Sequence, residues 1–187
     1  AGVPTPEELA LIREATPAAA TVEPAAPRKL LVVSLVPTGY VHSAIPYGEA
    51  ALAVMAEKTG AFEVTITDDI SYFEAGQLNR FDAVFLNNAN NELFIPTNFD
   101  TLSEAEQSAA RGRDVRLRES LAGFLRDGKG LVALHAALAA FREWDAFGGI
   151  IGGRFDNHPW HQEVTIRVEN PGHPLVAAFP APVLVLK

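Results

Sequence analysis

A three-layer α/β domain, a doubly wound parallel sheet with helices on both faces, is the fold class that the sequence predicts. Three observations carry it. Apolar, β-branched runs such as LLVVSLV (30–36) and GLVALHA (130–136) have the pattern of strands covered on both sides. Segments of helical composition fall between such runs, giving the order strand, helix, strand, strand, helix, strand that parallel pairing produces. Finally, 187 residues with 48% hydrophobic and 20% charged content suffice for one foldable domain, with little left for a second.

The elements follow in chain order. EELALIREA (7–15) has helical composition, with Leu9 and Ile12 three apart on one face. TPAAATVEPAAP (16–27) is Ala/Pro-rich and favours an extended tether. Residues 1–28 are therefore read as an N-terminal helix and linker, either a docking helix or a frayed leader, and 29–187 as the domain proper. The strand 30–36 opens that domain. Pro46 at a first helical position and Gly60 as a stop bracket YGEAALAVMAEKT as a helix. FEVTIT (62–67) alternates like a strand, and FDAVFLNN (81–88) is another that ends in polar residues. Ser103 and Glu106 form a capping box. Leu117, Leu121, Phe124 and Leu125 extend that helix as an apolar stripe up to Gly128. After the strand at 130–136 and a glycine-rich passage, EVTIRV (163–168) sets Val164, Ile166 and Val168 on one face. PVLVLK (182–187) reads as a strand that stops without a turn or cap, so the chain is expected to be a piece of a longer protein.

Composition excludes several function classes. A net charge of −8 without any basic run argues against nucleic-acid binding, which rewards clustered Lys and Arg. No apolar run approaches the length that spans a bilayer. The absence of cysteine removes disulfides, thiolate ligands and thiol nucleophiles together. It does not separate cytoplasm from periplasm. The start AGVP suits a cleaved signal peptide, so a periplasmic or secreted location is expected, with a cytoplasmic one as the alternative. There is no G-x-G-x-x-G after a strand, no G-x-x-x-x-G-K-[ST] and no G-x-S-x-G elbow.

Ligands of open parallel sheets bind beyond the carboxyl ends of the strands, so the residues after each strand are the candidates. VPTGYVHSAIP follows the first strand with Tyr40, His42 and Ser43. NNANNE follows the third with Asn87, Asn88, Asn90 and Asn91, residues that also serve as turn formers. His135 ends the strand 130–136 among small alanines. GGRFDNHPWHQ (152–162) adds Asp156, His158, Trp160 and His161. Four of the five histidines are thus expected along one edge. His173 in NPGHP reads as a turn residue and Trp144 as a packing residue. The spacing of His158 and His161 permits a zinc pair, although Pro159 between them disfavours a regular helical presentation.

GKGLVALHAA (128–137), FGGIIGGRFDNHPWHQEVTIRVENPGHPL (147–175), VHSAIPYGEAALAVMAEKTGAFEVTITDD (41–69) and FDAVFLNNANNE (81–92) together resemble the ThuA-like, trehalose-utilisation family. The likeness runs from about Lys29 to the end. It implies a flavodoxin-like core of the class I glutamine amidotransferase-like superfamily. In amidotransferases the nucleophilic cysteine occupies a strand-to-helix elbow; the matching position here is His135, which cannot form a thioester, so glutaminase chemistry is out. The resemblance implies a role in sugar catabolism, on trehalose-type disaccharides or keto-sugars, by a hydrolase, lyase or isomerase reaction. His135, His158 and His42 are the expected catalytic groups, with Tyr40, Ser43, Asn87, Asn88, Asp156 and Trp160 lining the substrate. His158 and His161 are the candidate ligands of a divalent metal such as zinc. The alternative is a non-catalytic sugar-binding or scaffold module. A homo-oligomer, or fusion to other modules, accords with either reading.

Overall fold

The computed structural model describes residues 2–158, 160, 162–179 and 181–186. It divides the chain into one unit up to Phe155 and a second from Asp156.

In the first unit, helix α1 (Pro6–Ala15) is closed at its start by a reciprocal capping box between Thr5 and Glu8. Strand β1 (Lys29–Val33), helix α2 (Ile45–Thr59), strand β2 (Glu63–Thr67), the short helix α3 (Ala75–Leu78) and strand β3 (Ala83–Asn87) follow. Helix α4 (Glu104–Arg126), strand β4 (Gly130–Leu134) and helix α5 (Asp145–Ile151) complete the unit. The four strands pair in parallel in the order β2-β1-β3-β4. The expected three-layer α/β architecture is present.

Alternation along the strands explains the layers. Leu31, Val33, Val84 and Leu86 project into the main apolar core with Leu117, Leu121 and Phe124 of α4. Val32, on the other face of β1, is buried apart from that core, and α2 packs on β2 and β3 with its own buried Leu52 and Val54. The sheet is therefore covered on both sides, which is why its central strands read as unbroken apolar runs rather than alternating ones. At the edge strand β4 the covering thins: Val132 and Leu134 remain 45% and 41% exposed.

Three expectations take a definite form. The first concerns residues 1–28, read as a docking helix or a frayed leader. Helix α1 docks on α2: the Tyr47 hydroxyl donates to Glu8 Oε1 at 2.8 Å, and Lys58 Nζ donates to the carbonyls of Arg13 and Thr16. A lysine against the terminal carbonyls suits the negative end of the helix dipole. The second concerns EVTIRV. It enters strand β5 (Val164–Arg167), which pairs antiparallel with β6 (Val183–Leu186) in the second unit and lies outside the parallel sheet. Clean period-two alternation is the mark of such a ribbon, so the pattern was a signal for antiparallel pairing. The third concerns FGGII, which is helical because Phe147 is buried against Phe141 and stacks with Trp144, while Gly152 at φ 81° provides the left-handed stop. Among the described residues no helix is long and apolar enough to cross a membrane.

Asp82 staples the amino-terminal rim of the sheet. Its Oδ2 accepts from the Lys29 backbone N–H at 2.9 Å, and its Oδ1 faces Lys129 Nζ and Arg28 Nη1, both at 3.4 Å. Its backbone carbonyl accepts from Gly130, and its N–H donates to the Lys29 carbonyl. The Lys29 hydrogen bond first, then the charges of Lys129 and Arg28, hold its carboxyl below the usual carboxylate range. A lowered native value means stability that is present above the ordinary carboxylate pKa of about 4 and lost as pH falls through the native one. We expect Asp82→Asn to cost about 1 kcal/mol at neutral pH. Urea unfolding across the acid range should show the two proteins converging as wild-type Asp82 protonates.

Candidate functional site

The chain leaves β1 towards β2 on one side and returns to β3 on the other, so the crevice beyond the carboxyl ends of β1 and β3 is the switch point of the sheet. Asn87 pairs in register with Leu134 at the ends of β3 and β4. The next residue on each strand turns left-handed, Asn88 at φ 55° and His135 at φ 51°. Asparagine tolerates this conformation readily; for histidine it is uncommon and costs free energy. His135 then starts a short 3-10 turn, His135–Ala139. His135 therefore stands at a sharp change of direction from strand β4 into a 3-10 turn.

The two turns aim the side chains at each other. Asn88 Oδ1 and His135 Nδ1 lie 2.8 Å apart. The His42 ring, from the loop between β1 and α2, sits edge-on to His135 with centroids 4.6 Å apart and planes at 78°. Tyr40 in turn meets His42 edge-on at 4.9 Å, and it is 71% exposed. Ser43 is exposed in the turn leading into α2.

Asn87 works from behind. It is 0% exposed, its Nδ2 donates to the Ile45 carbonyl at 3.0 Å and to Ser34 Oγ at 3.1 Å, and its Oδ1 accepts from Asn88 Nδ2 at 3.2 Å. With Asn88 only 2% exposed, both amides act chiefly within the protein. Asn90 and Asn91 hold the loop that carries Tyr40: Asn90 Nδ2 faces the Tyr40 carbonyl at 3.4 Å, and Asn91 Nδ2 donates to the Thr38 carbonyl at 2.6 Å.

Three residues that sequence reasoning missed complete the scaffold. Gly48 lets α2 approach Asn87, since a Cβ there would sit 2.5 Å from Asn87 Oδ1. Phe141, left-handed at φ 51°, donates its N–H to the Asn91 carbonyl, while Asn91 donates to Ala139, so the segments after β3 and β4 remain joined past the strand ends. Arg118 of α4, largely buried, pairs with Asp114 and Glu92 at 2.8 Å each, and Glu92 Oε1 accepts from the Glu143 N–H at 2.9 Å. The apolar pattern of α4 carried no hint of this ion pair. A cavity of about 300 Å³ opens beside this scaffold, lined by Pro37, Thr38, Asn91, Pro96, Phe99 and Arg142 among others; neither imidazole is part of its lining.

The rest of the expected site lies in the second unit. Asp156, His158 and Trp160 are exposed there, and Asp156 Oδ2 accepts from Asn157 Nδ2 at 2.6 Å. His161, proposed with His158 as a zinc pair, lies outside the described residues. Among the described residues no three His, Asp or Glu side chains gather in a way that would hold a metal ion, and a catalytic zinc uses three protein ligands. His173 is a turn residue: its Nδ1 accepts from the Leu175 N–H.

The chain matches the model of the ThuA family, described as trehalose utilisation, over residues 29–186. Its fold is similar to that of a solved structure described as a ThuA-like protein from Bacteroides uniformis, with 20% sequence identity and a TM-score of 0.53. That match covers 87% of this chain and 58% of the other, so the chain spans little more than half of that protein's length. No curated protein matches.

The packing of Gly48 generates one prediction. Gly48→Ala gains about 1 kcal/mol of helix propensity. It must nevertheless displace Asn87, and we expect a net loss of about 1 to 2 kcal/mol in chemical unfolding. The strain at His135 generates a second: His135→Gly should be more stable than His135→Ala by up to about 1 kcal/mol, because only glycine occupies φ 51° without a Cβ clash. Equal melting temperatures for the two variants would show an unstrained elbow.

Proposed function

The chain belongs to the ThuA family, whose model covers residues 29–186, and on that premise we propose that it acts on a sugar or keto-sugar in carbohydrate catabolism. The reaction is proton transfer at the carboxyl edge of the sheet. The observation that carries this reading is the placement of His135. The turn at the end of β4 presents an imidazole, with Nδ1 engaged by Asn88 and a second imidazole, His42, 4.6 Å away. With no cysteine in the chain, thioester chemistry has no nucleophile.

A pair of imidazoles suits a substrate whose C–H bonds are acidified by an adjacent carbonyl. Nε2 of His135 takes the proton from the carbon next to the keto group, and His42 polarises or protonates an oxygen. Return of the proton elsewhere gives isomerisation, whereas loss of a β-oxygen substituent gives elimination. A positioned base of this kind contributes roughly 10²- to 10⁴-fold in rate. Tyr40, exposed beside His42, offers an aromatic face to the sugar ring. His158, Asp156 and Trp160, and zinc at His158 and His161, belong to the second unit and are proposed there as catalytic, substrate and metal groups in their own right.

The experiment incubates the protein with trehalose and with 3-keto-glucosides, with and without zinc, and follows products by mass spectrometry. We expect turnover of a keto-sugar that His135→Ala lowers by at least about 10²-fold with the fold retained. Turnover unchanged in that variant removes His135 from the mechanism. Binding without turnover under every condition makes the chain a sugar-binding module.

A further inference from the structure

We propose that His135 is held as the Nδ1–H tautomer by a relay of two side-chain amides rooted at the backbone carbonyl of Ile45, which makes buried Asn87 a positioning residue for a ring to which it is not hydrogen-bonded. The donors and acceptors along these contacts fix the tautomer. A backbone carbonyl can only accept, so the atom of Asn87 that lies 3.0 Å from Ile45 O must be its NH2 group. That orients the whole amide and turns Asn87 Oδ1 towards Asn88. An amide oxygen likewise only accepts, so Asn88 must present its own NH2 across the 3.2 Å contact. Asn88 then has only Oδ1 left to face His135, at 2.8 Å, and the proton in that bond has to come from Nδ1.

Every member except the ring is out of water. Asn87 is fully buried and Asn88 nearly so, so reversing either amide sets two acceptors against each other with no solvent to compensate. The relay thus opposes the intrinsic preference of a free neutral histidine side chain, which favours Nε2–H. Its consequence is chemical: the lone pair of the neutral ring sits on Nε2, away from Asn88. Nε2 can gain and lose a proton while the Nδ1–H bond to Asn88 stays as it is. Nothing in the relay has to move during the cycle. The use of this lone pair in turnover rests on the function proposed above; the tautomer does not, so the spectrum and the turnover assay can fail separately.

The test is the long-range proton–nitrogen spectrum of the whole chain labelled with ¹⁵N-histidine, recorded well above the imidazole titration range, with the His135→Ala spectrum assigning the ring. Wild type should show a pyrrole-type Nδ1 and a pyridine-type Nε2. Asn87→Leu removes the root of the relay and frees Asn88 to turn, so the Nδ1–H to Nε2–H ratio should fall by about tenfold. Adding Asn88→Asp to that variant should restore Nδ1–H, because a carboxylate has no donor to turn towards the ring. Should Asn87→Leu fail to fold by near-ultraviolet circular dichroism, Asn88→Gly decides in its place. It removes the acceptor, glycine accepts the φ of 55°, and the same fall is expected. A pyridine-type Nδ1 in wild type, or an unchanged ratio in the folded variant, overturns the proposal.

Discussion

One contact organises the candidate site: the hydrogen bond between Asn88 and His135 across the ends of two parallel strands. It exists because β3 and β4 are in register up to Asn87 and Leu134 and both chains then turn left-handed at the next residue. A slip of one residue would send one of the two side chains to the opposite face of the sheet. The register in turn is held from the far rim, where Asp82 gathers the starts of β1, β3 and β4 through its carboxylate and its own backbone. The two rims do different work. The amino rim is tied by charge in partial contact with water. The carboxyl rim is tied by buried neutral amides, whose directionality specifies which atom faces which.

That division has a physical logic. A buried charge next to the imidazoles would bias their protonation strongly and would itself be costly to desolvate. Amides hold geometry without imposing a charge, provided each donor and acceptor is matched. Here the matching is tight enough that α2 carries a glycine where a methyl group would collide with Asn87. The charged pairing of Arg118 with Asp114 and Glu92 is placed one layer out, bracing the segments that follow β3 and β4.

Much of the fold was legible in the sequence because burial on both faces leaves a direct trace in composition. LLVVSLV, FDAVFLNN and GLVALHA each contain a strand, and the Ser103–Glu106 box starts α4 as read. EVTIRV was the instructive difference: its alternation is real, yet every residue of β5 is exposed, and it belongs to an antiparallel pair in the second unit. The asparagines suit, by residue type alone, both turns and ligand contacts. Asn90 and Asn91 hold a loop, and Asn87 and Asn88 form a buried chain, a distinction that lies in what surrounds them rather than in residue type.

By itself, the sequence determined the layered α/β class, the strand ends at which polar chemistry would collect, and the absence of any thiol from these residues. Each of these follows from local pattern, because period, capping and residue type are properties of neighbours along the chain. Only the tertiary structure decided that His42 and His135 share one contact, that Asn87 faces inwards, and that Gly48, Phe141 and Arg118 belong to the scaffold. Those facts depend on strand register and on a helix approaching a sheet, and both join residues tens of positions apart through packing that no local pattern encodes.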